Sequence, residues 1–303
     1  MLAHRLALGT AVATAVLIVF GGLVTNSGAG LAVPDWPNTF GHNLFLFPWA
    51  GMVGGVFYEH GHRLLGATVG LLTVALAAAL WPRGGALRVL GVVAVVAVVA
   101  QGVLGGLRVV LLRDELALIH GPLAQAFFAL IAALAYLTWP GARTTTLGGD
   151  AGLRRLAIAA VGVTYGQIVL GAWLTHAGWL WLHVAGAVVV FAIVPVLTAR
   201  ARRTGDAVAT ALSRALLALL GVQAALGIGA YLARFSPIWI PGEQLTMLAL
   251  PVAHRLVGGL ILSAVVVLTV RLHARSAAHG VRSQGKRGGM GEAAGVPHLE
   301  VSQ

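Results

Sequence analysis

Apolar residues in this chain come in long unbroken runs. Such stretches, roughly 18–24 residues each, recur at 6–24, 62–81, 86–107, 116–139, 153–174, 179–199, 211–232 and 249–272. A surface helix of a water-soluble domain would alternate an apolar stripe with a charged face, whereas these segments are apolar all round. At about 1.5 Å per residue, each is long enough to cross a hydrocarbon core of roughly 30 Å. The pattern predicts an all-α membrane protein with eight transmembrane helices. The stretch 41–58 is moderately apolar but broken by Pro48 and several glycines, and it reads as part of a long loop on the membrane surface. The first run follows His4 and Arg5 with no small-x-small cleavage site after it, so it reads as a retained helix rather than a secretion signal.

Composition agrees with this pattern. Hydrophobic residues make up 58% of the chain and charged ones 10%, against roughly 25% charged in a soluble domain. The formal net charge of +11 could point to nucleic acid, but the basic residues fall in short clusters between apolar runs, without interleaved aromatics. That is the placement expected at the flanks of membrane helices. The chain has no cysteine, which excludes disulfides, iron–sulfur clusters, thiolate zinc sites and thiol catalysis within it. With the N-terminus inside, fifteen of the twenty basic residues, from Arg5 to Arg287, lie in inner segments. Only Arg63, Arg108, Arg113, Arg234 and Arg255 lie outside. This bias predicts both termini on the cytoplasmic side. The stretch 274–303, rich in Gly, Ser and charge, reads as a disordered cytoplasmic tail.

The chain also repeats. Each even-numbered span carries one histidine near its outer end: His62, His120, His183 and His254. His62-Arg63-Leu64-Leu65-Gly66 matches His254-Arg255-Leu256-Val257-Gly258. In the odd spans, Gln101-Gly102-Val103-Leu104-Gly105 resembles Gln167-Ile168-Val169-Leu170-Gly171 and Gln223-Ala224-Ala225-Leu226-Gly227. The second four spans therefore read as a copy of the first four. The expected organisation is two pseudo-symmetric four-helix bundles, 1–145 and 146–273, followed by the tail.

A polar side chain inside a membrane span is costly and marks function by default. One such histidine could be a packing residue; four at equivalent depth in four even-numbered spans are hard to assign to packing. Two histidines facing each other across a bundle can supply both axial ligands of a haem iron, and the pairs would be His62 with His120 and His183 with His254. A structural zinc site would want cysteine or four converging ligands. Arg63 and Arg255 lie on the outer side, where arginine is scarce, and suit haem propionates better than a snorkelling role. Glu59, three residues before His62, shares its face if the helix extends back one turn. Its counterpart before His254 is Pro251. An acid beside one site alone suggests chemistry there rather than electron relay. His42, His60 and His176 read as surface residues, and Trp36, Trp49, Trp179, Trp181 and Trp239 as an interfacial aromatic belt.

These features together resemble the haem A synthase family, over residues 6 to 272. The resemblance is carried by Glu59-x-x-His62-Arg63, the lone His120 and His183, and His254-Arg255-x-x-Gly258. It extends to Gly21-Gly22-Leu23-Val24, Ser27-Gly28-Ala29-Gly30-Leu31 and Pro34-Asp35-Trp36-Pro37. It implies an oxidoreductase that converts the C8 methyl of haem O to the formyl group of haem A by successive hydroxylations. By analogy, His62, His120 and Arg63 would bind substrate haem O, with Glu59 catalytic. His183, His254 and Arg255 would hold a haem b cofactor. It further implies a bacterial plasma-membrane location with lipid as surroundings and no nucleic-acid partner. A haem O synthase partner follows by pathway logic alone, and a homo-oligomer is left open. Many members carry a cysteine pair in the first outer loop, where this chain has Val33 and Thr39. The rival reading is a di-haem b cytochrome limited to electron transfer. It predicts the same histidines but not Glu59 at one site only. A transporter would more often show inverted repeats and helices broken at mid-membrane.

Overall fold

The computed structural model describes residues 1–143, 150–238 and 242–274. Apart from Ala274, the expected tail lies outside the described residues, as does Trp239. Among the described residues the chain forms eight long helices: α1 (Leu2–Asn26), α2 (Gly54–Leu80), α3 (Gly85–Val110), α4 (Ala117–Thr138), α5 (Ala151–Ala177), α6 (Leu180–Arg202), α7 (Ala207–Phe235) and α8 (Glu243–His273). All eight are long and apolar enough to span a bilayer. The protein is an all-α, multi-pass membrane protein. Large apolar side chains such as Leu71, Val96, Val99, Val188 and Ile228 are exposed, a surface that water would not tolerate at this extent and that lipid covers. Several hydroxyls inside the spans bond back to their own helix, as Thr14 does to the Thr10 carbonyl and Thr73 to the Val69 carbonyl. They therefore present no unsatisfied donor to lipid.

Two helices begin earlier than hydropathy predicts. α2 starts at Gly54 rather than near 62, and α8 at Glu243 rather than near 249. Polar residues lower the hydropathy of these turns without breaking the helix. In α2 the Glu59 carboxylate pairs with Arg63 one turn on, at 2.8 Å, so two charges that would each be costly are met within the helix.

The packing closes two rings. α1 lies against α2 and α4, α2 against α3, and α3 against α4. α5 lies against α6 and α8, α6 against α7, and α7 against α8. Each ring has its own apolar core. In the first it includes Ala3, Ala7, Leu76, Leu80, Ala94, Ile131 and Leu134. In the second it includes Leu153, Ala157, Val194, Leu197, Leu216, Val265 and Leu268. Both cores sit where odd helices begin and even helices end, which is the side of the N-terminus. The four histidines lie toward the opposite ends. Dry, tight packing thus occupies one half of the bilayer depth, and polar groups are collected in the other.

α8 joins the rings by packing on α1 and α4, while α4 also meets α5. Small residues allow this approach: a Cβ at Gly22 would lie 3.1 Å from Val252. At the end bearing the packed cores, Arg271 of α8 is buried. It donates to both carboxylate oxygens of Asp206 at 3.1 and 2.6 Å, to the Tyr136 hydroxyl at 3.2 Å and to the Ala142 carbonyl at 3.4 Å. Asp206 in turn caps α7 by accepting from the Ala209 amide at 2.7 Å.

Candidate functional site

The loop between α1 and α2 folds over the histidine-bearing ends of the first four helices and is fastened to α2. The Val33 amide donates to Glu59 Oε2 at 2.9 Å. Arg63 donates to the carbonyls of Asp35 at 2.6 Å, Asn38 at 2.9 Å and Val33 at 3.1 Å. The Thr39 hydroxyl lies 3.0 Å from His60 Nδ1, and the His60 ring packs on Phe47. The loop is stiffened from within by Asp35, whose carboxylate accepts from the Phe40 and Gly41 amides, each at 2.8 Å.

His60 is buried, 1% exposed, and not the surface residue expected. The loop that buries it comes from a distant stretch, and the H-x-H spacing carries no trace of that. Glu59 is likewise buried rather than a solvated interfacial acid, with one carboxylate oxygen on Arg63 and the other on the Val33 amide. Trp36 is 40% exposed and also reaches inward. Its indole lies on Gly106, where a Cβ would overlap it, and it lines a cavity. Trp49 and Trp181 are exposed, as interfacial aromatics would be.

That cavity, about 510 Å³, lies among the outer halves of α1–α4 and reaches α5 and α8, within the usual size of a small-molecule site. Its walls carry His62, His120, Glu59, Arg63, Arg108 and Arg255 over a mainly apolar lining that includes Leu17, Val69, Val98 and Phe127. Arg255 follows His254 in sequence, yet its guanidinium faces this first-ring cavity, where it donates to the Thr175 hydroxyl at 3.3 Å. Arg108 was not singled out from sequence. Its signal was an outer-side arginine at a helix end, indistinguishable from Arg113 without coordinates.

The histidines meet in two couples. The ring centroids of His62 and His120 are 6.4 Å apart with planes at 74°, and those of His183 and His254 are 6.1 Å apart at 66°. Two histidine–metal bonds of roughly 2 Å in line, plus roughly 1 Å from each nitrogen to its ring centre, come to roughly 6 Å. The separations therefore fit a shared axial metal. Nδ1 of His62, His120 and His254 is buried with no hydrogen-bond partner, as suits a site built around a further group. The Gln223 amide lies 3.2 Å from His254 Nε2. A donor there marks an unprotonated nitrogen, the form that ligates metal. Among the described residues no three His, Asp or Glu side chains cluster as a metal ion alone would need. Pairs rather than quartets of ligands suit iron already held by a porphyrin.

The cavity wall carries Arg63, Arg108 and Arg255 with Glu59; guanidinium groups of this kind suit an anionic ligand. The combination of an imidazole couple, a broad apolar wall and arginines at one rim matches an amphipathic, iron-bearing macrocycle with acidic side chains. Residues 49–180 match the family described as cytochrome oxidase assembly protein. This stretch contains Glu59, His62, Arg63 and His120 and stops short of His183. A heme A synthase from Shouchella clausii (strain KSM-K16) is 31% identical over 140 residues, which cover 45% of this chain and 45% of that protein. The chain thus matches about half the length of that relative. The family match thus falls on the stretch that carries the first couple, and the chain is similar there to cytochrome oxidase assembly proteins and, over 45% of its length, to a heme A synthase.

Proposed function

We propose that the protein is an oxidoreductase that converts the C8 methyl of haem O to the formyl group of haem A by successive hydroxylations. The observation that carries this reading is the asymmetry of the two histidine couples. Among the described residues, the first couple lines a cavity that also holds a buried carboxylate and three arginines, and His183 and His254 do not line it. In this reading His62 and His120 take the iron of substrate haem O. The positive rim receives its propionates, and the apolar wall accommodates the macrocycle. His183 and His254 hold a haem b cofactor, which when bound supplies one-electron transfer. The first bundle, 1–145, is then the substrate unit and the second, 146–273, the cofactor unit. Both termini face the cytoplasm of a cell whose plasma membrane holds the protein, in keeping with the arginine bias.

Each residue of the chain has a bounded task. Glu59 stands one turn before His62, held by Arg63 and the Val33 amide, so its carboxylate is fixed beside the substrate couple. There it can stabilise positive charge or pass a proton as the methyl is oxidised. Arg63 spends its donors on Glu59 and on the loop; it orients the acid and keeps the loop closed, excluding water from the apolar cavity. Arg255, which lines the cavity and donates to the Thr175 hydroxyl, is placed there for a propionate, and Arg108 adds a second guanidinium to the same wall.

Co-expression with a haem O supply tests the proposal. Haem A should appear on extraction of membranes; haem B and haem O alone would favour an electron-transfer protein. Glu59→Gln keeps the size of the side chain but removes its charge. It should leave haem bound while haem A formation falls by roughly 10²–10⁴, the range for removing a positioned acid–base group. Normal product from this variant would reduce Glu59 to an anchor for the loop.

A further inference from the structure

Each imidazole abuts a glycine on the helix preceding its own. A Cβ at Gly21 would stand 3.0 Å from His62 Cε1 and 3.5 Å from Nδ1. The same distances are 3.4 and 3.9 Å for Gly105 with His120, 3.2 and 3.5 Å for Gly171 with His183, and 3.1 and 3.5 Å for Gly227 with His254. In all four the Cε1–Nδ1 edge is the one turned to the glycine, and Nε2 lies farther away. The approach is confined to these positions: at Gly102, Gly166 and Gly221, on the same helices, a Cβ would meet nothing within 4 Å.

Helix geometry explains what the glycine provides. A carbonyl at position i points along the axis toward residue i+4, and a side chain at i+4 would screen it from a neighbouring helix. Four residues before the glycines stand Leu17, Gln101, Gln167 and Gln223, whose carbonyls the missing glycine side chain leaves uncovered toward the neighbouring helix. Two of the repeated glutamines also hold the partner helix. Gln101 donates to the His120 carbonyl at 3.1 Å, and Gln167 to the His183 carbonyl at 2.9 Å with its amide 3.1 Å from that ring's Nδ1. In α1 the equivalent position is Leu17, so His62 has the glycine and the carbonyl but no amide.

We propose that Gly21, Gly105, Gly171 and Gly227 are positioning residues, each seating the Cε1–Nδ1 edge of one imidazole on a helix backbone so that Nε2 is the nitrogen left for haem iron. This rests on the haem-binding reading above. Close packing of that edge on the backbone limits rotation of the ring, and ligand orientation is a means by which supporting groups tune a ligated metal. The repeated Gln-x-x-x-Gly string then describes a socket: glycine opens the wall, and glutamine ties the wall to the histidine's helix.

The test uses the full chain purified with its bound haem. Gly171→Ala and Gly227→Ala are compared with Gly166→Ala and Gly221→Ala, which add the same methyl to the same helices in open space. The readouts are the low-spin ferric electron paramagnetic resonance signal, the midpoint potential and haem loss to an apo-globin scavenger. Gly171→Ala and Gly227→Ala should shift the signal and the potential and weaken haem retention on the order of tenfold, while the controls match wild type. Gly21→Ala, read with added haem in the first couple, gives an independent arm should a second-couple variant fail to accumulate. It should perturb more than Gly105→Ala, whose Cβ has more room. Wild-type signal, potential and retention in Gly21→Ala, Gly171→Ala and Gly227→Ala would overturn the proposal. Wild-type protein without any low-spin bis-imidazole signal would reject the haem reading itself, before any glycine is changed.

Discussion

Replacing His183 or His254 by alanine is expected to abolish the low-spin haem absorption of the purified protein while leaving the helices folded. The rings face each other at 6.1 Å, so removing either would leave a haem held by this couple with a single imidazole. The loss of affinity should exceed the roughly 10–100-fold that loss of a mere supporting partner costs. The fold should survive because the packed core of the second ring, around Val194, Leu216, Val265 and Leu268, lies at the other end of the helices. His62→Ala and His120→Ala should leave this absorption in place and instead weaken binding of added haem O. Visible spectra of the reduced protein decide the matter: unchanged spectra in both His183→Ala and His254→Ala would reject the second couple as a haem site.

Arg271→Ala should destabilise the protein by about 3–5 kcal/mol, the cost of leaving a buried charge without its partner. Asp206 would keep its carboxylate beside the α7 amides but lose the guanidinium that meets both oxygens. Tyr136 and Ala142 of the first half would lose their tie to α8. Lysine retains the charge but not the planar fork, so Arg271→Lys should fall between alanine and wild type. The pair also carries a pH signature. Hydrogen bonding from Arg271 holds the Asp206 carboxyl below its ordinary value of 3.8. The stabilisation is therefore complete above that ordinary value and is lost as pH falls through the depressed one. Thermal unfolding in detergent should show the wild-type midpoint dropping on acidification through this window. Arg271→Ala should start lower and lose less. Equal midpoints for the two proteins at neutral pH would show that the clamp contributes nothing.

The eight spans were readable because lipid imposes one severe condition, about twenty consecutive apolar residues per crossing, and every helix here meets it. The histidine couples were readable for a related reason. Imidazoles inside a hydrocarbon layer are rare enough that four, one per even helix, define a register. The interior of the site was harder to read. Hydropathy ended α2 at the polar residues that the helix in fact contains, since Glu59 and Arg63 neutralise each other only once both are helical. The strings His62-Arg63 and His254-Arg255 look alike, yet Arg63 grips the first loop and Arg255 faces the cavity of the opposite half. The difference arises because α2 is capped by a long folded loop, whereas α8 packs on α1 and α4; neither contact is encoded locally. Gly105, Gly171 and Gly227 were visible as repeat letters, but not the rings they seat. Gly21 lacks the accompanying glutamine and had no matching string to reveal it.

The fastening of the first outer loop has a physiological corollary. Val33 and Thr39 are both anchored to α2, one through its amide on Glu59 and the other through its hydroxyl beside His60. Closure is therefore maintained by polar contacts that no thiol reductant or oxidant can make or break. A shift in the surrounding thiol balance would therefore leave this cover fastened.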